Sequence, residues 1–290
     1  MRKRLFITGG TGFLGGHLLL QAVGEWEVFA SARSEHPAVP CVHWVKMDLS
    51  DEKGIASAFA DVRPDAVIHA GAMSNVDQCE SECDKALAVN AKSSANLAGL
   101  SEDAGCRMVF VSSDMVFDGE KGNYSETDLP DPINYYGETK RIAEEWVLLG
   151  CSRSVCGRAA LIYGVPAIGG TSFSYQMLKR LSMGKEVGLF FDQYRSPIQV
   201  QSLAAALIEL ASSSFTGILH LGGSERIDRY TFGLRVAEAR GYSKALLKPV
   251  AMNDIPSKAA RPRDASMDVS RAEEVLKTRL PDCREGIKCL

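Results

Sequence analysis

The chain opens on a short apolar run, Leu5-Phe6-Ile7, that breaks into Thr8-Gly9-Gly10-Thr11-Gly12-Phe13-Leu14-Gly15. This stretch contains both Gly10-x-Gly12-x-x-Gly15 and Gly9-x-x-Gly12-x-x-Gly15. Glycine is needed in such a loop because the turn is tight and the backbone must approach a pyrophosphate. The helix that follows offers free N–H groups and a partial positive charge. A glycine triplet alone is weak, since a plain tight turn uses the same residue. Here it lies between a strand and a segment, 13–23, with apolar residues at helical spacing, which is the context a dinucleotide requires. Gly9, Thr11, Gly12, Phe13, Leu14 and Gly15 are therefore the first cofactor-binding residues expected.

The rest of the N-terminal part alternates in the same way. Strands are predicted over 27–32, 65–70, 107–111 and 155–162, and helices over 51–60, 77–100 and 135–149. Alternating strands and helices imply an α/β fold with a Rossmann-type, doubly wound parallel sheet. Beyond Gly164 the rhythm loosens around Pro166 and Gly169-Gly170. A helix over 173–183, a helix over 203–211 and a strand over 218–221 are expected there. The 290 residues suit one large domain with a smaller appendage. The division expected is 1–162 for the dinucleotide, with 198–221 returning to it. Residues 163–197 and 222–290 then form a smaller C-terminal substrate-binding domain.

Composition excludes several other classes. A formal net charge of -3 with no Lys/Arg stripe gives no reason to expect a nucleic-acid partner. No stretch is long and apolar enough to span a bilayer, so no membrane partner is expected. The charged-then-apolar start resembles a signal peptide, but Thr8-Gly9-Gly10 breaks it too early for an apolar core. Among the eight cysteines, Cys79 and Cys83 stand four apart with no second pair to complete a metal site. No metal is expected, and free thiols suit a reducing, cytoplasmic setting.

The end of the second strand bears on cofactor choice. An acid usually stands there to take the ribose hydroxyls of NAD. This chain has Ser31-Ala32-Arg33 instead. Arg33, by charge and planar donor fork, suits a 2′-phosphate, so NADP(H) is expected to be preferred. A solvated surface arginine would read the same, and Glu35 nearby keeps NAD(H) as the alternative. Asp48-Leu49 would edge the adenine or, equally, mark a helix start.

Tyr136-Gly137-Glu138-Thr139-Lys140 sets a tyrosine and a lysine four apart, on one helical face. A tyrosine with a reference pKa of about 10 is a poor acid at neutral pH. A neighbouring ammonium is expected to lower that value and make it a proton donor to a carbonyl oxygen. Surface helices carry this spacing by chance. Ser112-Ser113-Asp114 adds a hydroxyl at the end of a parallel strand, where open α/β sheets bind ligands. An ordinary turn serine would look alike. The three motifs together, in this order, are much more specific than any one of them.

On these residues the chain resembles the extended short-chain dehydrogenase/reductases, and within them the dTDP-4-dehydrorhamnose reductases. The similarity extends through Pro64 to Ala72, Val76-Asp77, Val89-Asn90, Ser112 to Gly119, Arg158, Tyr163-Gly164, Asp192-Gln193, Ser196-Pro197, Arg261-Pro262 and Ser266 to Asp268. It implies that Ser113, Tyr136 and Lys140 are the catalytic triad, with Tyr136 and Lys140 also meeting the cofactor. It implies that Ala70, Gly71, Ala72 and Asn90 serve the dinucleotide, and that 158–161, Leu161 included, lies near the nicotinamide. Ser74, Ser113, Arg195 and Arg261 would meet a nucleotide-sugar, with Arg261 and then Arg195 as the basic residue on its pyrophosphate. A homodimer is the assembly implied. Three departures concern the sugar pocket: Met115 replaces an aromatic residue, Leu161 a tryptophan and Arg195 a glycine.

The activity implied is NADPH-dependent reduction of a nucleotide-linked 4-keto-sugar. A nucleotide-sugar epimerase would share these motifs. A dehydratase would carry Asp-Glu where this chain has Asp114-Met115. A cofactor-binding regulatory subunit, as in methionine adenosyltransferase, is a third alternative.

Overall fold

The computed structural model describes residues 2–34 and 36–290, apart from the Cys289 side chain. Seven parallel strands build its central sheet. They are β1 (Arg4–Thr8), β2 (Glu27–Ala32), β3 (Val42–Lys46), β4 (Ala66–His69), β5 (Arg107–Ser113), β6 (Ser154–Ala159) and the strand Gly217–Leu221. Their spatial order is Gly217–Leu221, β6, β5, β4, β1, β2, β3. The chain thus winds one way from β1 to β3 and the other way from β4, leaving a switch point beside β1. Ligands of such sheets bind outside the carboxyl ends of the strands at that point.

β1 is continuously apolar because both faces of the sheet are covered. Leu5 and Ile7 join one core, with Leu14 and Leu18 of α1 (Phe13–Ala22) and with Leu203 and Leu207 farther along the chain. Phe6 points the other way. It joins Ile55 and Phe59 of α2 (Glu52–Val62) and Val147, on the opposite side of the sheet.

The single helix expected over 77–100 is broken. It consists of α3 (Val76–Ser81), α4 (Cys83–Leu87), a π-helical turn (Ala88–Lys92) and α5 (Ser93–Asp103). Glu82, with φ -124° and ψ 56°, makes the first break. From the start of α5, the Ser93 and Ser94 hydroxyls donate back to the Val89 and Asn90 carbonyl oxygens of the π turn. Such back-bonding competes with the regular ladder and bends helices. Apolar periodicity does not register it.

α6 (Tyr135–Gly150) and α7 (Phe173–Ser182) lie close to the expected spans, and α8 (Val200–Ser212) begins three residues earlier than expected. The strand expected over 155–162 ends at Ala159. Ile162–Tyr163 forms a separate parallel pair with Ile198–Gln199, so the chain leaves the sheet just at its carboxyl edge. A third core gathers Tyr163, Met177 and Leu189 with Phe232 and Val236 of α9 (Arg229–Ala239). Met267, Ala272 and Leu276 pack back on the main core instead. No helix among the described residues is long and apolar enough to cross a membrane.

Candidate active site

A cleft of about 840 Å³ runs along the carboxyl ends of the strands, from the glycine loop to the C-terminal elements. Gly9, Thr11, Gly12, Phe13, Leu14 and Gly15 all line it. Gly9 has φ +73°, and a Cβ there would lie 2.7 Å from the Gly71 Cα. A Cβ on Gly15 would overlap the Gly9 carbonyl oxygen. Gly12 is the residue before α1, and no side chain caps the first turn of that helix. Its free N–H groups and bare backbone therefore suit a dinucleotide's pyrophosphate.

Ala70, Gly71 and Ala72 form the next part of the wall. They are held from behind. Thr8 Oγ1 lies 2.6 Å from His69 Nδ1 and accepts the Gly71 N–H at 3.1 Å. Burial, with help from Lys140, pulls the His69 pKa down to about 3, so the ring is neutral at ordinary pH. Asn90, expected to serve the cofactor from the helix behind this wall, is buried there. It accepts the Met73 N–H at 2.8 Å and donates to the Met73 carbonyl and to Thr139 Oγ1. An amide that grips both backbone groups of Met73 positions the wall without lining the cleft.

At the carboxyl ends of β2 and β3, Ser31, Arg33, Asp48 and Leu49 line the same cleft. Arg33 also borders a second hollow, of about 520 Å³, with Ser34, His36, Trp44 and Lys46. The His36 ring stacks on Trp44 at 4.3 Å. Lys46 had no signal of its own. The β2–β3 register sets it opposite Ala32, beside Arg33. Asp48 accepts the Ser50 N–H and hydroxyl, so its carboxylate holds a turn as well as facing the cleft. The helix start falls later, at Glu52 after Asp51. Glu35, the residue that kept NAD(H) in view, lies outside the described residues.

Ser113, Tyr136 and Lys140 meet in the middle of the cleft. Ser113 ends β5, and its Oγ accepts the Met115 N–H at 3.1 Å and donates to Asp114 at 3.2 Å. α6 starts at Tyr135, capped by Asn134, whose Oδ1 accepts the Gly137 N–H at 2.9 Å. Lys140, one turn on, donates to the Val111 carbonyl at 2.9 Å and sits 5.9 Å from the Tyr136 ring centre. Burial lowers its pKa to about 8, against the pull of Glu144. For Tyr136 the expected direction is reversed. Burial pushes the phenol above its ordinary value, while the Ser113 hydroxyl pulls the other way. The lysine is turned to a backbone carbonyl, so desolvation of the phenolate prevails. Tyr136 is therefore kept in its protonated form.

Ala159, Ala160 and Leu161 line the cleft where the chain leaves the sheet. Arg158 does not reach it. It is buried in an ion pair with Glu144, at 2.7 Å. Ser74, Arg195 and Arg261 also line the cleft. Arg195 is buried, with its Nε 3.4 Å from Asp114 Oδ2. Arg261 pairs with Asp77 at 3.0 Å. Arg229, at the start of α9, also lines the cleft and was missed. Following Asp228, which caps α9, it reads in sequence as an exposed first-turn residue.

This sheet, with an uncapped glycine loop and a Ser, Tyr, Lys cluster at its carboxyl edge, defines the extended short-chain dehydrogenase/reductase class. The model of the RmlD substrate binding domain family matches residues 3–290, and the chain belongs to that family. It is similar to the probable low-salt glycan biosynthesis reductase Agl14 of Haloferax volcanii, at 32% identity over 98% of this chain and 96% of the relative. It is also similar to methionine adenosyltransferase 2 subunit beta of Xenopus laevis, at 29% identity over 94% of this chain and 82% of that one. Among solved structures, dTDP-4-dehydrorhamnose reductase of Bacillus anthracis in complex with NADP superposes with a TM-score of 0.89 and 26% identity, covering 99% of this chain and 98% of that one. The chain is accordingly an NAD(P)-dependent oxidoreductase of the extended short-chain type.

Proposed function

We propose that the protein reduces the keto group of a nucleotide-linked sugar, with NADP(H) preferred over NAD(H), in the cytoplasm. The observation that carries this is the meeting of Ser113, Tyr136 and Lys140 in one cleft with the glycine loop. The similarity to a glycan biosynthesis reductase and to a reductase bound to NADP supports it. The charges of Arg33 and Lys46 beside the second hollow support a 2′-phosphate. We assign 1–162 and 198–221 to the cofactor, and 163–197 and 222–290 to the substrate. Arg195, Arg229 and Arg261, all from the latter, favour that division. A homodimer is the assembly proposed, with exposed Trp146 and Leu149 of α6 as candidate apolar contacts.

A nicotinamide dinucleotide bound along the glycine loop would supply the hydride for the carbonyl carbon. Reduction then places negative charge on the carbonyl oxygen, which must be protonated or stabilised. Tyr136 holds the proton, Ser113 offers a hydrogen bond to the same oxygen, and the Lys140 charge stabilises the phenolate left behind.

Similarity to a subunit of methionine adenosyltransferase supports a second reading, that of a cofactor-binding regulatory partner. The complete Ser113, Tyr136 and Lys140 set weighs against it. Tyr136→Phe separates the two. It keeps the ring and removes the acid, so turnover should fall by about 10²–10⁴-fold with NADPH binding nearly unchanged. Wild-type-like turnover in the variant would refute the assignment of Tyr136. No wild-type turnover on any keto-sugar nucleotide, with the variant still performing the cellular role, would favour the regulatory reading.

A further inference from the structure

We propose that Arg195 and Arg229 form a subsite for a carboxylate on the sugar itself, so that the substrate is an acidic keto-sugar. This rests on the nucleotide-sugar reading above and narrows it.

Three guanidinium groups from the C-terminal part of the chain line the cleft. Arg261 has Asp77, and Arg195 has Asp114 and donates to the Tyr194 and Pro262 carbonyls, so that it contributes charge more than free donors. Arg229 has no carboxylate within ion-pair distance among the described residues. It donates to the Gln193 side-chain oxygen at 3.1 Å and lies over the Phe173 ring at 4.2 Å, while its Nε has no partner. Burial, and then the nearby Arg195, pull its pKa down to about 10. Arg229 is half-buried, and the unpartnered Nε leaves it a donor for an anion that joins it in the cleft.

Location indicates which anion. Arg195 touches Asp114 and Met115, the two residues directly after Ser113. Its charge therefore sits at the reacting end of the cleft. The pyrophosphate is attached at C1, across the ring from a C4 carbonyl. A C6 carboxylate, carried on C5, is next to that carbonyl. Arg195 and Arg229 suit this position, and Arg261, held by Asp77, remains for the pyrophosphate. The carboxylate takes no part in the reaction. Hydride goes to C4, the Tyr136 proton goes to O4, and the carboxylate only orients the ring.

The test is calorimetric binding of four probes, UDP- and dTDP-linked glucose and glucuronic acid, in the presence of NADP⁺. The wild type should bind the glucuronic acid form of the accepted nucleotide about tenfold or more tightly than its glucose form. Arg229→Met should remove most of that difference, and Arg229→Lys should restore part of it. Equal binding of the two sugars by the wild type, or loss of both alike in Arg229→Met, would overturn the acidic-sugar assignment and leave the nucleotide-sugar reading standing. Failure of all four probes while NADP⁺ binds would instead bring down the nucleotide-sugar reading, and this inference with it.

Discussion

Lys140 is the residue whose surroundings make the sharpest kinetic demand. Enclosed against the Val111 carbonyl, its pKa is lowered by burial to about 8. Below that pH it carries the charge that stabilises a Tyr136 phenolate; above it the charge is lost. The pH profile of kcat/KM, which reports the free enzyme, should be level below about 8 and fall above it. Lys140→Met should show a lower rate with no break in that region. A wild-type profile level well past 8 would contradict the role. Ser113, Tyr136 and Lys140 were legible because each motif is local, a strand end or one helical turn. The direction of the Tyr136 shift was not, since it depends on how completely the folded cleft removes water. Arg229 and Lys46 were illegible for a related reason. Each is an ordinary polar residue in its own segment and reaches the site only through strand register or domain packing.

α6 carries the catalytic pair, and its first turn fixes where Tyr136 stands. The Asn134 side chain caps that turn and also donates to the Ala260 carbonyl at 3.1 Å, tying the helix to the segment that holds Arg261. Asn134→Ala should cost about 0.5–2 kcal/mol in urea unfolding. Asn134→Asp keeps the capping oxygen but not the donor, and should lose less. Equal stability of Asn134→Ala and wild type would show that the cap contributes nothing here. Most strands and helices of the sheet were legible because apolar residues keep a period of 2 or 3.6, or run unbroken where both faces are covered. The 77–100 segment kept helical composition throughout, so its two breaks stayed hidden. They depend on Glu82 and on two serine hydroxyls that bond backward. The early end of β6 was missed because Ala159, Ala160 and Leu161 are as apolar as the strand before them.

At the scale of the whole molecule, the reversal of strand order beside β1 and the departure of the chain after β6 create one continuous cleft. The glycine loop stands at one end, the three arginines at the other, and Tyr136 between them. The geometry therefore brings a dinucleotide and an anionic substrate together over one proton donor, and net reduction is what it should achieve. The most direct test is to incubate the protein with NADPH deuterated at the transferable position and a panel of keto-sugar nucleotides, and to analyse products by mass spectrometry. The account predicts a product carrying one deuterium on the former carbonyl carbon for each NADPH oxidised. Isomerised sugar with no net loss of NADPH would identify an epimerase, and no exchange with any sugar would contradict the account altogether.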